Sequence, residues 1–207
     1  MDIHVLLFDQ VDLLDSGGPY EVFLTASRLA ERDGRPRPFE VKTVSVDGEP
    51  VSAYGGLGLS PGGDLASVRT PGVLVVPGAI DIESALADRA LVDAVARTAD
   101  RLLIDRESLV TSVCTGAFLL GAAGLLADRD WTTHWADVEL LAARVGSSGA
   151  TRGVRWVDTG QIVTSGGLSA GLDMALHLVD RLEGRELATR TARQIDYRWR
   201  ADGSSEG

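Results

Sequence analysis

Five consecutive residues, Gly72-Val73-Leu74-Val75-Val76, carry no polar side chain and are closed off by Pro77-Gly78. A strand with one face in the core alternates apolar and polar residues, whereas one that is apolar throughout is expected where helices cover both faces of a parallel sheet. Other strand-like runs occur at residues 3–8, 39–46 and 108–113, with a short piece at Leu57-Gly58-Leu59. Helical patterns fall between them, from 19 to about 32 and from 82 to about 103. The almost wholly apolar stretch 117–126 predicts a helix buried on all sides. Beyond it the pattern predicts a short strand at 131–134, a helix through Leu140, Leu141 and Val145, and a hairpin about Asp158-Thr159-Gly160. Two helices close the chain, the first with Leu172, Ala175, Leu176, Val179 and Leu182 on one stripe. This alternation predicts an α/β fold, doubly wound about a largely parallel sheet with helices on both faces. At roughly 150 residues per domain the length implies a single domain over 1–200, and 201–207 reads as a frayed polar tail.

Composition narrows the function. Hydrophobic residues at 44% and charged residues at 24% describe a chain able to bury a sizeable core. Twenty basic against thirty acidic side chains leave a net charge of −10, which repels phosphate backbones and anionic lipid, so neither nucleic acid nor membrane is expected as a partner. Lys42 is the sole lysine, on an alternating run where a solvated face suits it, and no Gly-Lys-Ser/Thr phosphate loop exists. Cys114 is the sole cysteine, which forbids an internal disulfide and any multi-thiolate metal site. With no cationic leader and no run of about 18 apolar residues, a cytoplasmic protein is expected. No cofactor or metal is called for.

Ligands of doubly wound sheets bind beyond the carboxyl ends of the strands. Cys114 stands at such an end, between a buried strand and a helix, with small residues two before and two after it in Ser112-Val113-Cys114-Thr115-Gly116. That is the pattern of a nucleophile elbow, where amide N–H groups and the helix dipole favour a thiolate; the alternative is a buried structural cysteine. Asp15, read as part of the loop after the first strand, is either a turn or cap residue or a carboxyl group held over the sulfur. Glu21 reads as a surface acid near the helix start. His4 and His177 read as structural. His134, twenty residues after Cys114 in Thr132-Thr133-His134-Trp135, reads as either a hydrogen-bonded structural residue or part of the site. Gly167-Leu168-Ser169-Ala170-Gly171 matches the G-x-S-x-G pattern of serine hydrolases, but the sole downstream histidine, His177, lies in the same predicted helix, so Ser169 is rejected as a nucleophile.

Taken together, Ser112 to Ala117, Gly121-Ala122-Ala123-Gly124-Leu125-Leu126, Thr132-Thr133-His134-Trp135, Asp15 with Gly18-Pro19, and Ser165 to Asp173 resemble the ThiJ/PfpI superfamily over nearly the whole chain. The pattern is most similar to its isocyanide hydratases and to the sensor domains of AraC-type regulators. The resemblance implies a flavodoxin-like fold, a homodimer and a small-molecule substrate. It implies Cys114 as nucleophile and Asp15 as acid/base. Thr115, Gly78, Ala79, His134, Gly167 and Leu168 become substrate-binding residues, with the amides of Thr115 and Ala79 available to the substrate. Thr115 stands where the protease-like members carry histidine, which speaks against peptidase activity. The expected reaction is hydration of an isocyanide to an N-formamide. Two alternatives are a stand-alone small-molecule or redox sensor and glyoxalase-type chemistry on α-oxoaldehydes.

Overall fold

The computed structural model describes residues 1–204. The chain runs β1 (Asp2–Leu6), α1 (Leu13–Arg32), β2 (Glu40–Val44), β3 (Val51–Ser52), β4 (Gly58–Leu59), β5 (Gly72–Val76), α2 (Ile82–Ala87), α3 (Arg89–Leu102), β6 (Leu109–Ser112) and α4 (Gly116–Ala122). It continues with α5 (Val138–Val145), β7 (Trp156–Asp158), β8 (Ile162–Ser165), α6 (Ala170–Glu183) and α7 (Arg185–Gln194). Six strands form one sheet in the order β2-β1-β5-β6-β8-β7, parallel except for β7, which pairs antiparallel with β8. The small antiparallel pair β3-β4 stands apart from it.

The period-2 geometry of the strands sorts the core into two layers. Val73 and Val75 of β5, with Ile3 and Val5 of β1, pack against α1, α6 and α7. Leu74 and Val76, with Leu6 and Val110, pack on the opposite side against α2 to α5. This explains the unbroken apolar run of β5, all five residues of which are buried. The fold is therefore the doubly wound α/β arrangement expected. β1 connects outward to β2 on one side and reaches β5 on the other, so the chain reverses its winding between β1 and β5, the position where such sheets open a crevice.

Several local details differ from the sequence reading. α1 begins at Leu13 rather than Pro19, because the Asp12 side chain accepts the N–H groups of Leu14 and Asp15 and caps the helix early. Asp15 consequently lies in a first helical turn and not in a loop. α4 ends at Ala122, and Gly124 follows with φ of 77°. Residues 131–134 form no strand; Trp131 makes only an isolated bridge to Ala150. The expected frayed tail is docked as far as Ser204: Arg155 N donates to Gly203 O at 2.7 Å, and Ser204 bridges Val154. Residues 205–207 lie outside the described residues. Among the described residues no helix is long and apolar enough to cross a membrane.

His4 occupies the centre of β1 with its Nδ1 buried and without a hydrogen-bond partner. Burial pushes its pKa below 6.5, outweighing the attraction of Asp2. The unfolded chain takes up this proton first as pH falls, so the stability tied to a neutral His4 is full above about 6.5 and is lost below it. His4→Leu is expected to remove that component: in urea unfolding, the midpoint difference between wild type and variant shifts in the variant's favour from pH 7.5 to pH 5. A difference independent of pH contradicts this.

Candidate active site

The carboxyl ends of β1, β5 and β6 converge on one sulfur. Cys114 follows β6 with φ of 55°, a left-handed conformation that costs a non-glycine residue on the order of 1–3 kcal/mol and persists only where neighbours enforce it. The neighbours are visible. Cys114 N donates to Gly166 O at 3.0 Å, and Thr133 Oγ1 donates to Cys114 O at 2.8 Å, so both sides of its peptide backbone are clamped. Gly116 packs so tightly under the carbonyls of Val76, at the end of β5, and of Pro77 after it that a side chain there would collide with backbone. The turn therefore aims the thiol at a cavity of about 190 Å³ lined by Asp12, Asp15, Ala79, Ile80, Thr115, His134, Asp137 and Leu168 besides Cys114 itself. Leu168, also lining the cavity, has positive φ as well, at 33°.

Asp15 is fully buried. Its Oδ2 accepts the Gly78 N–H at 3.1 Å. A methyl group on Gly78 would sit 2.5 Å from Thr115 Oγ1 and 2.8 Å from Asp15 Oδ2, so glycine is what lets β5, the elbow and α1 meet here. The Cys114 thiol is close enough to act on the carboxyl group as a donor, yet no aligned bond forms and Oδ1 is left without a partner. Catalytic hydrogen bonds are often loose before substrate arrives.

Electrostatics reverse one expectation from sequence. Burial, and then the nearby Asp12 charge, push the Asp15 carboxyl up to about 7, partly offset by the Gly78 N–H and the Cys114 thiol. Burial and the Asp15 charge push the thiol up to about 12, against the N–H groups of Leu168 and Thr115, which favour the thiolate. The elbow amides are thus present as expected, but a free thiolate is not the resting form: a sulfur only 8% exposed beside a carboxylate keeps its proton. Between about 7 and about 12 the pair holds one proton, which sits on the sulfur beside an ionised Asp15.

The other predicted residues divide. Thr115, Ala79, His134 and Leu168 line the sulfur cavity. Gly78 holds Asp15 instead, and Gly167 lines the neighbouring cavity, where a Cβ on it would strike the His134 ring at 2.5 Å. The Ala79 amide is not available to a substrate, since it donates to Thr115 Oγ1 at 3.0 Å while Thr115 Oγ1 donates back to Ala79 O at 2.8 Å. Ser169 Oγ accepts from Arg155, and His177 is paired with Asp158 and stacked on Trp156, so the G-x-S-x-G match carries no serine triad. Asp12 and Asp137 were not anticipated. Asp137 accepts from His134 Nδ1 at 3.0 Å and fixes the ring; its signal was its place one helical turn beyond the histidine. Asp12 could have been found as the cap three residues before Asp15.

The model of the DJ-1/PfpI family matches residues 1–181. The chain belongs to the DJ-1/PfpI family. It is 34% identical to the isonitrile hydratase of Pseudomonas putida over 197 residues, covering 95% of this chain and 78% of that protein. It is also 32% identical to the HTH-type transcriptional regulator GbdR of Pseudomonas aeruginosa over 205 residues, which are 94% of this chain but only 50% of the regulator. Among solved structures, a ThiJ/PfpI family protein from Pseudomonas syringae superposes with a TM-score of 0.79 at 27% identity, covering 95% of this chain and 74% of that one.

In this DJ-1/PfpI chain the buried Asp15 is a stability liability. Its folded pKa of about 7 exceeds the ordinary 3.8, so its contribution is favourable below about 3.8 and is lost as pH rises through about 7. Asp15→Asn is expected to be more stable than wild type at pH 8, by on the order of 2–4 kcal/mol at about 1.4 kcal/mol per pKa unit, and to show no such gain at pH 4. Thermal unfolding at the two pH values measures it; equal stability at pH 8 contradicts the buried carboxylate.

Proposed function

We propose that this protein hydrates isocyanides to N-formamides through a covalent adduct on Cys114. The observation that carries the reading is the buried Asp15 carboxyl group beside the elbow thiol, a proton acceptor next to a protonated nucleophile at the edge of a small cavity. The similarity to the P. putida isonitrile hydratase supports it. Isocyanides are neutral, so a site lined by no lysine suits them.

The chemistry needs one transferable proton and one nucleophile. The Asp15 carboxylate takes the thiol proton as the sulfur's electron pair forms a bond to the terminal isocyanide carbon, and the developing thiolate is steadied by the Leu168 and Thr115 amides. Asp15 then delivers that proton to the same carbon, giving a thioimidate, R–N=CH–S–Cys114. Water adds to the carbon, with Asp15 accepting one of its protons and the nitrogen gaining one. The C–S bond breaks, its electrons return to sulfur, and the thiol recovers its proton from Asp15. The product is R–NH–CHO, and the sum is isocyanide plus water. His134, held by Asp137, and Leu168 bound the space in which the carbon reacts.

The 32% identity to GbdR favours one other reading, a small-molecule sensor using the same cavity without turnover. The raised thiol pKa opposes a peroxide-sensing role, since the thiolate is the form that peroxide oxidises. Mixing purified protein with an aryl isocyanide, and in parallel with methylglyoxal, separates these readings. N-formamide is expected from the first and no turnover from the second. Cys114→Ala is expected to abolish N-formamide release while unfolding at an ordinary temperature. Wild-type kcat/KM rises with pH through about 7, as Asp15 ionises, and Asp15→Asn loses about a hundredfold or more together with that limb. Binding without turnover by wild type assigns the protein to sensing.

A further inference from the structure

Beyond the turn 166–168 lies a second cavity, of about 590 Å³, that shares the His134 and Leu168 side chains with the sulfur cavity. Its charged lining runs against the net charge of the molecule. In a chain of net charge −10, the ionisable side chains that line it, apart from His134, are Arg152 and Arg155, and no acidic side chain lines it among the described residues. Trp135, 82% exposed, stands at its edge.

The two arginines are not equivalent. Arg155 is immobilised: its Nε donates to the fully buried Asp173 at 2.7 Å, and its Nη2 donates to Ser169 Oγ at 3.0 Å and to Tyr197 Oη at 3.1 Å. Asp173 cancels its charge and makes it a rigid wall. Arg152 is paired with Glu139, through Nε at 3.1 Å and a shorter Nη2 contact, but both partners are more than half exposed. An exposed pair of this kind contributes little, so a carboxylate brought by a ligand can take Glu139's place on the guanidinium fork.

We propose that this cavity receives the far end of the substrate, that this end is a carboxylate bound by Arg152, and that the body between the two ends is aromatic or apolar and lies along His134, Leu168 and Trp135. The class is an isocyano carboxylic acid whose two functional groups are joined by that body, because the two cavities share the His134 and Leu168 side chains. The isocyano end of this assignment rests on the hydration reading; the carboxylate end rests on the cavity alone.

The test is therefore a binding measurement that needs no turnover. Titration calorimetry with 4-formamidophenylacetate and with its methyl ester is run on the full chain, as wild type, Arg152→Gln and Glu139→Gln. Wild type is expected to bind the acid at least tenfold more tightly than the ester. Arg152→Gln, a surface change that leaves Arg155 and Asp173 in place, erases that preference, and Glu139→Gln tightens acid binding two- to threefold by freeing the guanidinium. Equal binding of acid and ester by wild type, absence of binding of both, or an acid preference that survives Arg152→Gln overturns the proposal. An Arg152-dependent acid preference in a protein that converts no isocyanide upholds the carboxylate site and removes the hydration reading instead.

Discussion

The structure around the sulfur depends on a carboxyl group and a thiol buried within reach of each other. Neither group can carry a full charge cheaply where it sits, and two adjacent negative charges there would be worse than one. The outcome above about 7 is a protonated sulfur beside an ionised carboxylate. Such a pair is poor at being a free thiolate and well suited to moving one proton from sulfur to a substrate atom. Isocyanide hydration asks for that transfer, because the carbon attacked by sulfur is also the carbon that gains hydrogen.

The fold holds the pair together against its own cost. Reversal of winding between β1 and β5 brings the start of α1 next to the ends of β5 and β6, so residues far apart in sequence, Asp15, Gly78 and Cys114, meet at one point. Hydrogen bonds to backbone do the fixing: Gly166 O and the Thr133 hydroxyl clamp the elbow peptide, and the reciprocal Thr115–Ala79 hydrogen bonds, made by the Thr115 hydroxyl, tie the elbow to the loop after β5. Left-handed φ values at Cys114 and at Leu168, both lining the cavity, are the local cost of this arrangement.

What was legible in the sequence follows from which forces act locally. The apolar run of β5 and the strand-to-helix step at Cys114 announced the sheet and the elbow, because periodicity and turn chemistry are encoded in neighbouring residues. The early start of α1 was hidden because Pro19 is a stronger helix-start signal than Asp12, although Asp12 is the residue that caps. Asp137 escaped notice because a residue that orients another has no motif of its own. The direction of the Cys114 shift was misread for a different reason. Amides and helix dipole are visible in the sequence around an elbow, but the burial and the neighbouring carboxylate that outweigh them exist only once the chain is folded.

The coupling of the carboxyl group to the thiol is tested most directly by carbon-13 NMR of aspartate-labelled protein, following the Asp15 carboxyl resonance with pH in wild type and Cys114→Ala. The account predicts a wild-type midpoint near 7, far above an ordinary aspartate, and a changed midpoint when the thiol is removed. An Asp15 midpoint near 4 in wild type, unaltered by loss of the sulfur, contradicts it.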